Sequence, residues 1–171
     1  RITVSTVGIP SGLRRLANAS IMPNVAVSLH ASTEELRNRL VPVNRTFGLK
    51  EIIEACRQLP LTKRRRITFE YVLLAHVNDS TQDARRLQAL LRGLKAKVNL
   101  IPLNEASDLS FRRPSDIRVN QFARTLSEGG MTVSVRKSRG RDIRAACGQL
   151  IVESDSAGAE GTTATGDPPV T

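Results

Sequence analysis

Apolar residues in this chain fall in short β-branched runs separated by longer stretches with helical spacing. The first run, Ile2-Thr3-Val4-Ser5, gives way to the turn Thr6-Val7-Gly8-Ile9-Pro10. Leu13, Leu16 and Ala17 then mark a helix over Gly12 to Ala19, because one helix face recurs every three or four residues. Val25-Ala26-Val27-Ser28-Leu29 reads as a strand apolar on both faces, as in a parallel sheet covered on both sides. Ser32-Thr33-Glu34-Glu35 has the form of a capping box that opens a helix, and Pro42 closes it. Leu49, Ile52, Ile53 and Cys56 share one face of a helix from Leu49 to Leu59, which places Cys56 in the core. Ile67 to Leu74 is the plainest strand. Ser80 to Leu94 reads as a helix, Val98 to Pro102 as a strand and Pro114 to Glu128 as a helix. Gly129-Gly130 then breaks the chain before a last strand, Met131 to Val135.

Strand and helix alternating about five times at this spacing predict an α/β fold with a parallel sheet or barrel. In such folds ligands gather at the C-terminal ends of the strands. That rule selects Ser5, Ser28, His30 and Asn104, each placed where an apolar run gives way to a loop. The residue types alone leave their roles open. A histidine at a strand end binds a ligand's polar edge, donates to a carboxylate or caps the next helix. Serine is an ordinary turn residue. Asn104 has donor and acceptor groups suited to an adenine or an amino-acid head group. No GxGxxG, P-loop or HExxH pattern is present.

Composition narrows the partners. The chain is 40% hydrophobic and 25% charged, as soluble globular proteins are. It has no apolar run long enough to span a bilayer, so no membrane partner is expected. There is no signal peptide, and Arg1 opens directly on a strand pattern, so a fragment or processed piece is expected. The net charge is +10, although Glu153, Asp155, Glu160 and Asp167 make the end of the chain acidic. The body is therefore more basic than the whole, which points to a polyanion such as nucleic acid. With aromatics at only 3%, shape and phosphate contacts are expected rather than base stacking. Two cysteines are too few for a disulfide framework and fit a reducing cytoplasm. Residues 153–171, rich in Ser, Ala, Gly, Thr and Pro, read as a disordered acidic tail after a domain over 1–152.

The stretch Arg136-Lys137-Ser138-Arg139-Gly140-Arg141-Asp142-Ile143-Arg144-Ala145-Ala146-Cys147-Gly148-Gln149-Leu150 carries the most chemistry. Nearby cations lower a thiol pKa, and small neighbours let another molecule reach the sulfur. A buried structural cysteine on a short helix fits the same residues.

This stretch resembles the C-terminal signature of the radical S-adenosylmethionine (SAM) methyltransferases that modify carbon-2 of an adenine in 23S rRNA. Ser-Thr-x-Gly at Ser5, Ser-Leu-His at Ser28, Leu29 and His30, and Asn-Leu-Ile-Pro-x-Asn ending at Asn104 match further motifs in order. The resemblance spans about residues 1–150 and implies the C-terminal half of a radical SAM partial (β/α) barrel. It implies SAM contacts at Ser5, Ser28, Leu29, His30 and Asn104, and a methyl-carrying catalytic cysteine at Cys147. In the mechanism it implies, one SAM methylates Cys147 and a second, cleaved at a 4Fe-4S cluster, activates that methyl for addition to adenine. 23S rRNA is the implied partner, with tRNA as a second substrate, for a cytoplasmic monomer. The family commonly has an aromatic residue where Leu103 stands. The cluster motif CxxxCxxC, a Gly-Glu-Pro motif and the resolving cysteine are all missing from these residues. The 171 residues alone are therefore expected to be inactive, and the rival readings are a carbon-8 methyltransferase, a non-catalytic basic RNA-binding fragment and a SAM-independent α/β enzyme with Cys147 in its core.

Overall fold

The computed structural model describes residues 2–104 and 110–136. Five parallel strands form one sheet: β1 (Thr3–Thr6), β2 (Asn24–Ser28), β3 (Ile67–Leu73), β4 (Ala96–Pro102) and β5 (Thr132–Val135). They lie side by side in chain order. Between them run α1 (Pro10–Ala17), α2 (Glu34–Leu40), α3 (Leu49–Arg57), α4 (Thr81–Leu90) and α5 (Asp116–Glu128). A 3-10 turn at Pro42–Arg45 follows α2. The expected α/β alternation is thus present, with each boundary within a few residues of its sequence signal.

Side-chain alternation decides the layering. Ile67, Phe69, Tyr71 and Leu73 on β3, and Val98 and Leu100 on β4, are all buried. They join Leu13 of α1, Ile52 and Cys56 of α3, Leu87 of α4 and Phe122 of α5 in one core. Tyr71 and Phe122 pack with ring centroids 5.3 Å apart, within the range of favourable aromatic pairs. The other face of the sheet carries Ser5, Ser28, Thr68, Glu70, Lys97 and Asn99, none of them buried. The expectation that β2 is apolar on both faces is corrected accordingly: only Ala26 is buried on its open side, between Asn24 and Ser28. Among the described residues, the sheet is covered by helices on one face and open on the other.

Local chemistry explains where the helices begin. Pro10 opens α1 two residues earlier than the apolar spacing suggests, since proline's fixed φ and missing N–H suit a first turn. Thr33 rather than Ser32 caps α2, its hydroxyl accepting from Leu36 N–H at 3.3 Å. Ser32 instead donates to Asp83 at 3.4 Å. The reciprocal capping box belongs to α4, where Ser80 and Asp83 each accept from the other's N–H. Ser115 caps α5, so that helix starts just after Pro114. Gly8 is needed in the β1–α1 turn. Its φ is +93°, and a Cβ there would lie 2.8 Å from Ile52 Cγ2.

A second, smaller apolar cluster sits beyond the strand ends. It joins Ala31, Leu40, Val41, Leu74 and Leu103. Through it α2 and the segments after β2, β3 and β4 are packed together at the C-terminal rim of the sheet.

Candidate functional site

At the C-terminal end of a parallel sheet, the last carbonyls of each strand run out of ladder partners and need other donors. Two buried side chains supply them here. Arg37, fully buried on α2, donates from Nε to Leu29 O at 3.0 Å and from Nη2 to Val7 O at 2.6 Å and Ser28 O at 3.2 Å. Its Nη1 donates to Asn44 Oδ1 at 2.5 Å. Asn78, fully buried after β3, donates to His30 O at 2.9 Å and Val72 O at 2.8 Å and accepts from Leu74 N–H at 2.7 Å. The rim is thus tied across β1, β2 and β3 by side chains.

His30 is the residue this rim constrains most. Its φ is +61°, a left-handed conformation uncommon outside glycine. Its N–H and that of Leu29 both donate to Glu70 O, at 3.3 and 2.9 Å. Val72 N–H donates to His30 Nδ1 at 3.2 Å, so the neutral ring carries its proton on Nε2. Burial, and then the charge of Arg37, push its pKa down from 6.5 to about 4. A histidine held neutral in the fold favours unfolding once it must protonate. Its contribution is complete above pH 6.5 and is lost as pH falls toward 4, a difference on the order of 3 kcal/mol. Denaturant titrations of the wild type and His30→Gln between pH 7 and 4 should show the wild type losing more stability over that window.

The open face continues the site downward. Ser5 pairs in register with Ala26, one pleat repeat below Ser28 (about 7 Å). Ser28, Glu70, Asn99 and Ser134 form a continuous polar row across β2, β3, β4 and β5. Ser134 donates to Asn99 Oδ1 at 3.0 Å. A cavity of about 410 Å³ opens on this face, with Ser5 and Glu70 in its wall. Arg64, Arg65 and Arg66, from the basic run before β3, line its opposite end together with Lys97. That places those cations at the N-terminal end of the strands, away from His30.

Of the residues singled out in the sequence, Ser5, Ser28 and His30 lie on this open face or at its rim. Asn104 lies beyond the same rim and is exposed, two residues after β4. Leu29 points the other way, into the helix-covered core, and its carbonyl is already held by Arg37. Cys56 is buried in that core as a free thiol, as its helical spacing implies. Cys147, the cations of residues 137–144 and the 153–171 tail lie outside the described residues. Arg37 and Asn78 were not among the expected residues. Arg37 had a signal, since it stands three positions before Leu40 on the inward side of α2. Asn78 had only its position just past a strand end.

The chain's fold is similar to that of a solved radical SAM methyltransferase from Sphaerobacter thermophilus. That structure matches with a TM-score of 0.81 and 51% identity, over 88% of this chain and 44% of that one. A domain of a pyruvate-formate lyase-activating enzyme from Bacteroides vulgatus shares the fold alone, at 16% identity and a TM-score of 0.55. The chain is therefore similar to part of the radical SAM methyltransferases. Within them it matches part of the proteins named dual-specificity RNA methyltransferase RlmN. It is 51% identical over 150 residues to the one from Syntrophotalea carbinolica, covering 88% of this chain and 40% of that protein. For the one from Syntrophobacter fumaroxidans the identity is 51% over 153 residues, covering 90% and 44%. The chain thus spans less than half the length of these curated relatives. No family model matches it.

Proposed function

We propose that the intact protein carrying this chain methylates carbon-2 of an adenine in 23S rRNA, with tRNA as a second substrate, as a cytoplasmic monomer. In this reading the chain supplies the SAM-binding rim and, in Cys147, the methyl acceptor. The observation that carries it is the 51% identity to proteins named dual-specificity RNA methyltransferase, over the strands whose ends build the rim.

The residues present fit SAM. Ser5 and Ser28 offer hydroxyls, His30 an uncharged Nε2–H donor, and Asn104 an amide that matches an adenine edge. Glu70, in the cavity wall, is an acceptor suited to hydroxyl or ammonium groups. When bound, SAM supplies an electrophilic methyl group. The Cys147 thiolate, close in sequence to Arg139, Arg141 and Arg144, would take up that methyl as a nucleophile, the sulfonium S–CH3 bond breaking to release a neutral thioether; an aromatic carbon cannot do this for itself. The adenine leaves its stack to reach that sulfur. A 4Fe-4S cluster does not fit these residues. It needs three thiolates, and of the two cysteines in the chain Cys56 is enclosed in the core. No group of three metal-ligating side chains occurs among the described residues. Nor is any helix among them long and apolar enough to cross a membrane.

Nucleoside digests of rRNA modified by the intact protein test the reading directly. They should contain 2-methyladenosine. Finding 8-methyladenosine instead would transfer the assignment to carbon-8, and finding neither would leave a basic RNA-binding protein.

The cations should act through phosphates. If Lys63 to Arg66 and the Arg136 to Arg144 stretch neutralise about four phosphates, log K should fall against log[salt] with a slope of roughly −3 to −4. Fluorescence anisotropy of an RNA hairpin from 50 to 300 mM salt measures this, and a flat response would reject phosphate binding.

A further inference from the structure

We propose that Arg37 is a positioning residue for the ligand rim, holding the ends of β1 and β2 in the geometry that presents Ser5, Ser28 and His30 to one ligand. This rests on the reading of the rim as the SAM site. The charge of Arg37 is poorly matched by its surroundings. The side chain is fully buried, yet the acceptors of its four hydrogen bonds are all neutral: three backbone carbonyls and the Asn44 amide. Burying a cation among neutral hydrogen-bond partners is costly; the charge of Glu34, whose Oε2 accepts from Asn44 Nδ2 at 2.8 Å, offsets only part of that cost. Burial pulls the pKa of Arg37 down to about 10, which still leaves it charged at neutral pH.

The geometry shows what this arrangement achieves. Val7 follows β1, Ser28 ends β2 and Leu29 follows it, so the three carbonyls belong to two strand ends. A planar guanidinium with fixed donor directions sets the spacing of those carbonyls, whereas an ammonium is a single point. His30 follows immediately in a left-handed turn, with its ring engaged by Val72 N–H. Rotation of the Ser28–Leu29 peptides would carry both the Ser28 hydroxyl and the His30 ring away from Ser5. Residues that hold a site's contacts from behind typically change affinity by about 10–100-fold when removed.

The test uses the intact protein with Arg37→Met and Arg37→Lys. A third variant, Leu87→Ala, opens the core on α4 away from the rim. SAM affinity is measured by calorimetry at a temperature where circular dichroism shows all three folded. Arg37→Met should weaken SAM about 10–100-fold, Arg37→Lys by less, and Leu87→Ala should leave affinity within about twofold. Arg37→Lys keeps the question answerable if Arg37→Met does not fold. Hydrogen exchange gives a readout that needs no ligand. The amides of Leu29, His30 and Val72 should exchange faster in the Arg37 variants, while that of Phe69 in mid-β3 should not. Unchanged rim protection, or an equal loss of affinity in Leu87→Ala, would overturn the proposal. If the wild type itself binds no SAM while rim protection still falls in the variants, the SAM reading fails and the clamp stands.

Discussion

Replacing Cys147 with alanine in the intact enzyme is expected to abolish RNA methylation, whereas replacing Cys56 should leave turnover intact. The two thiols differ in surroundings. Cys56 lies on the inward face of α3 among Ile52, Ile53 and the sheet, and burial pushes its pKa up to about 12. At neutral pH it is a protonated, enclosed thiol without nucleophilic character. Cys147 lies outside the described residues; in sequence it stands between Ala146 and Gly148 after a run of arginines, a setting expected to favour a nucleophilic thiolate. Cys56→Ala should therefore cost only packing, about 1–3 kcal/mol, read as a lower melting temperature. Cys147→Ala should keep the melting temperature and lose the product. Peptide mass spectrometry of purified wild-type protein should place a single added methyl on the Cys147 peptide. A methyl on Cys56, or normal turnover by Cys147→Ala, would refute this assignment of the two thiols.

The second large effect is expected at Asn78. Its side chain satisfies His30 O, Val72 O and Leu74 N–H at once, and its own carbonyl accepts from Tyr71 Oη at 3.1 Å. Asn78→Ala strips all three side-chain bonds and strands buried backbone groups, each of which costs about 1–3 kcal/mol when left unpaired. Local relaxation and water entry offset part of this, so a total loss of about 3–5 kcal/mol is expected. Gln82→Ala, at an exposed position on α4, serves as the control and should stay within about 0.5 kcal/mol. Urea denaturation of the intact protein measures both. Equal midpoints for the two variants would show that the rim does not depend on Asn78.

Cys56 and Asn78 mark how far the sequence could be read. The helix that carries Cys56 was legible because Leu49, Ile52, Ile53 and Cys56 keep helical period. β3 was equally legible, because Ile67, Phe69, Tyr71 and Leu73 alternate with polar or smaller residues, and a period of two belongs to a strand with one face buried. The open side of the sheet was less so. Val25-Ala26-Val27 reads as buried on both faces, and only the polar residues of β3 and β4 in register reveal that Ala26 faces a cavity. Ser5, Ser28 and His30 were found by position at strand ends, a rule that reports where a ligand sits but not what holds the strand ends still. Asn78 does that holding from a loop, where an asparagine looks like any turn residue. Arg37 escaped the rule because a charged residue within Glu34-Glu35-Leu36-Arg37-Asn38-Arg39 looks like part of a solvated face. Its burial depends on carbonyls from residues 7, 28 and 29, which meet only once the sheet has formed.

The agreement between strand order and chain order has a bearing on how the molecule is made. Among the described residues no strand inserts between two others, so each of β2 to β5 leaves the ribosome after a strand it pairs with. Growth of the sheet is vectorial, and no completed edge must reopen to admit a latecomer. The reverse also holds. Trimming β5 alone should leave the β1–β2–β3 rim, with Arg37, Asn78 and the Leu103 contact after β4, in place. Among these five strands the earlier ones carry the ligand mouth and the later ones brace it.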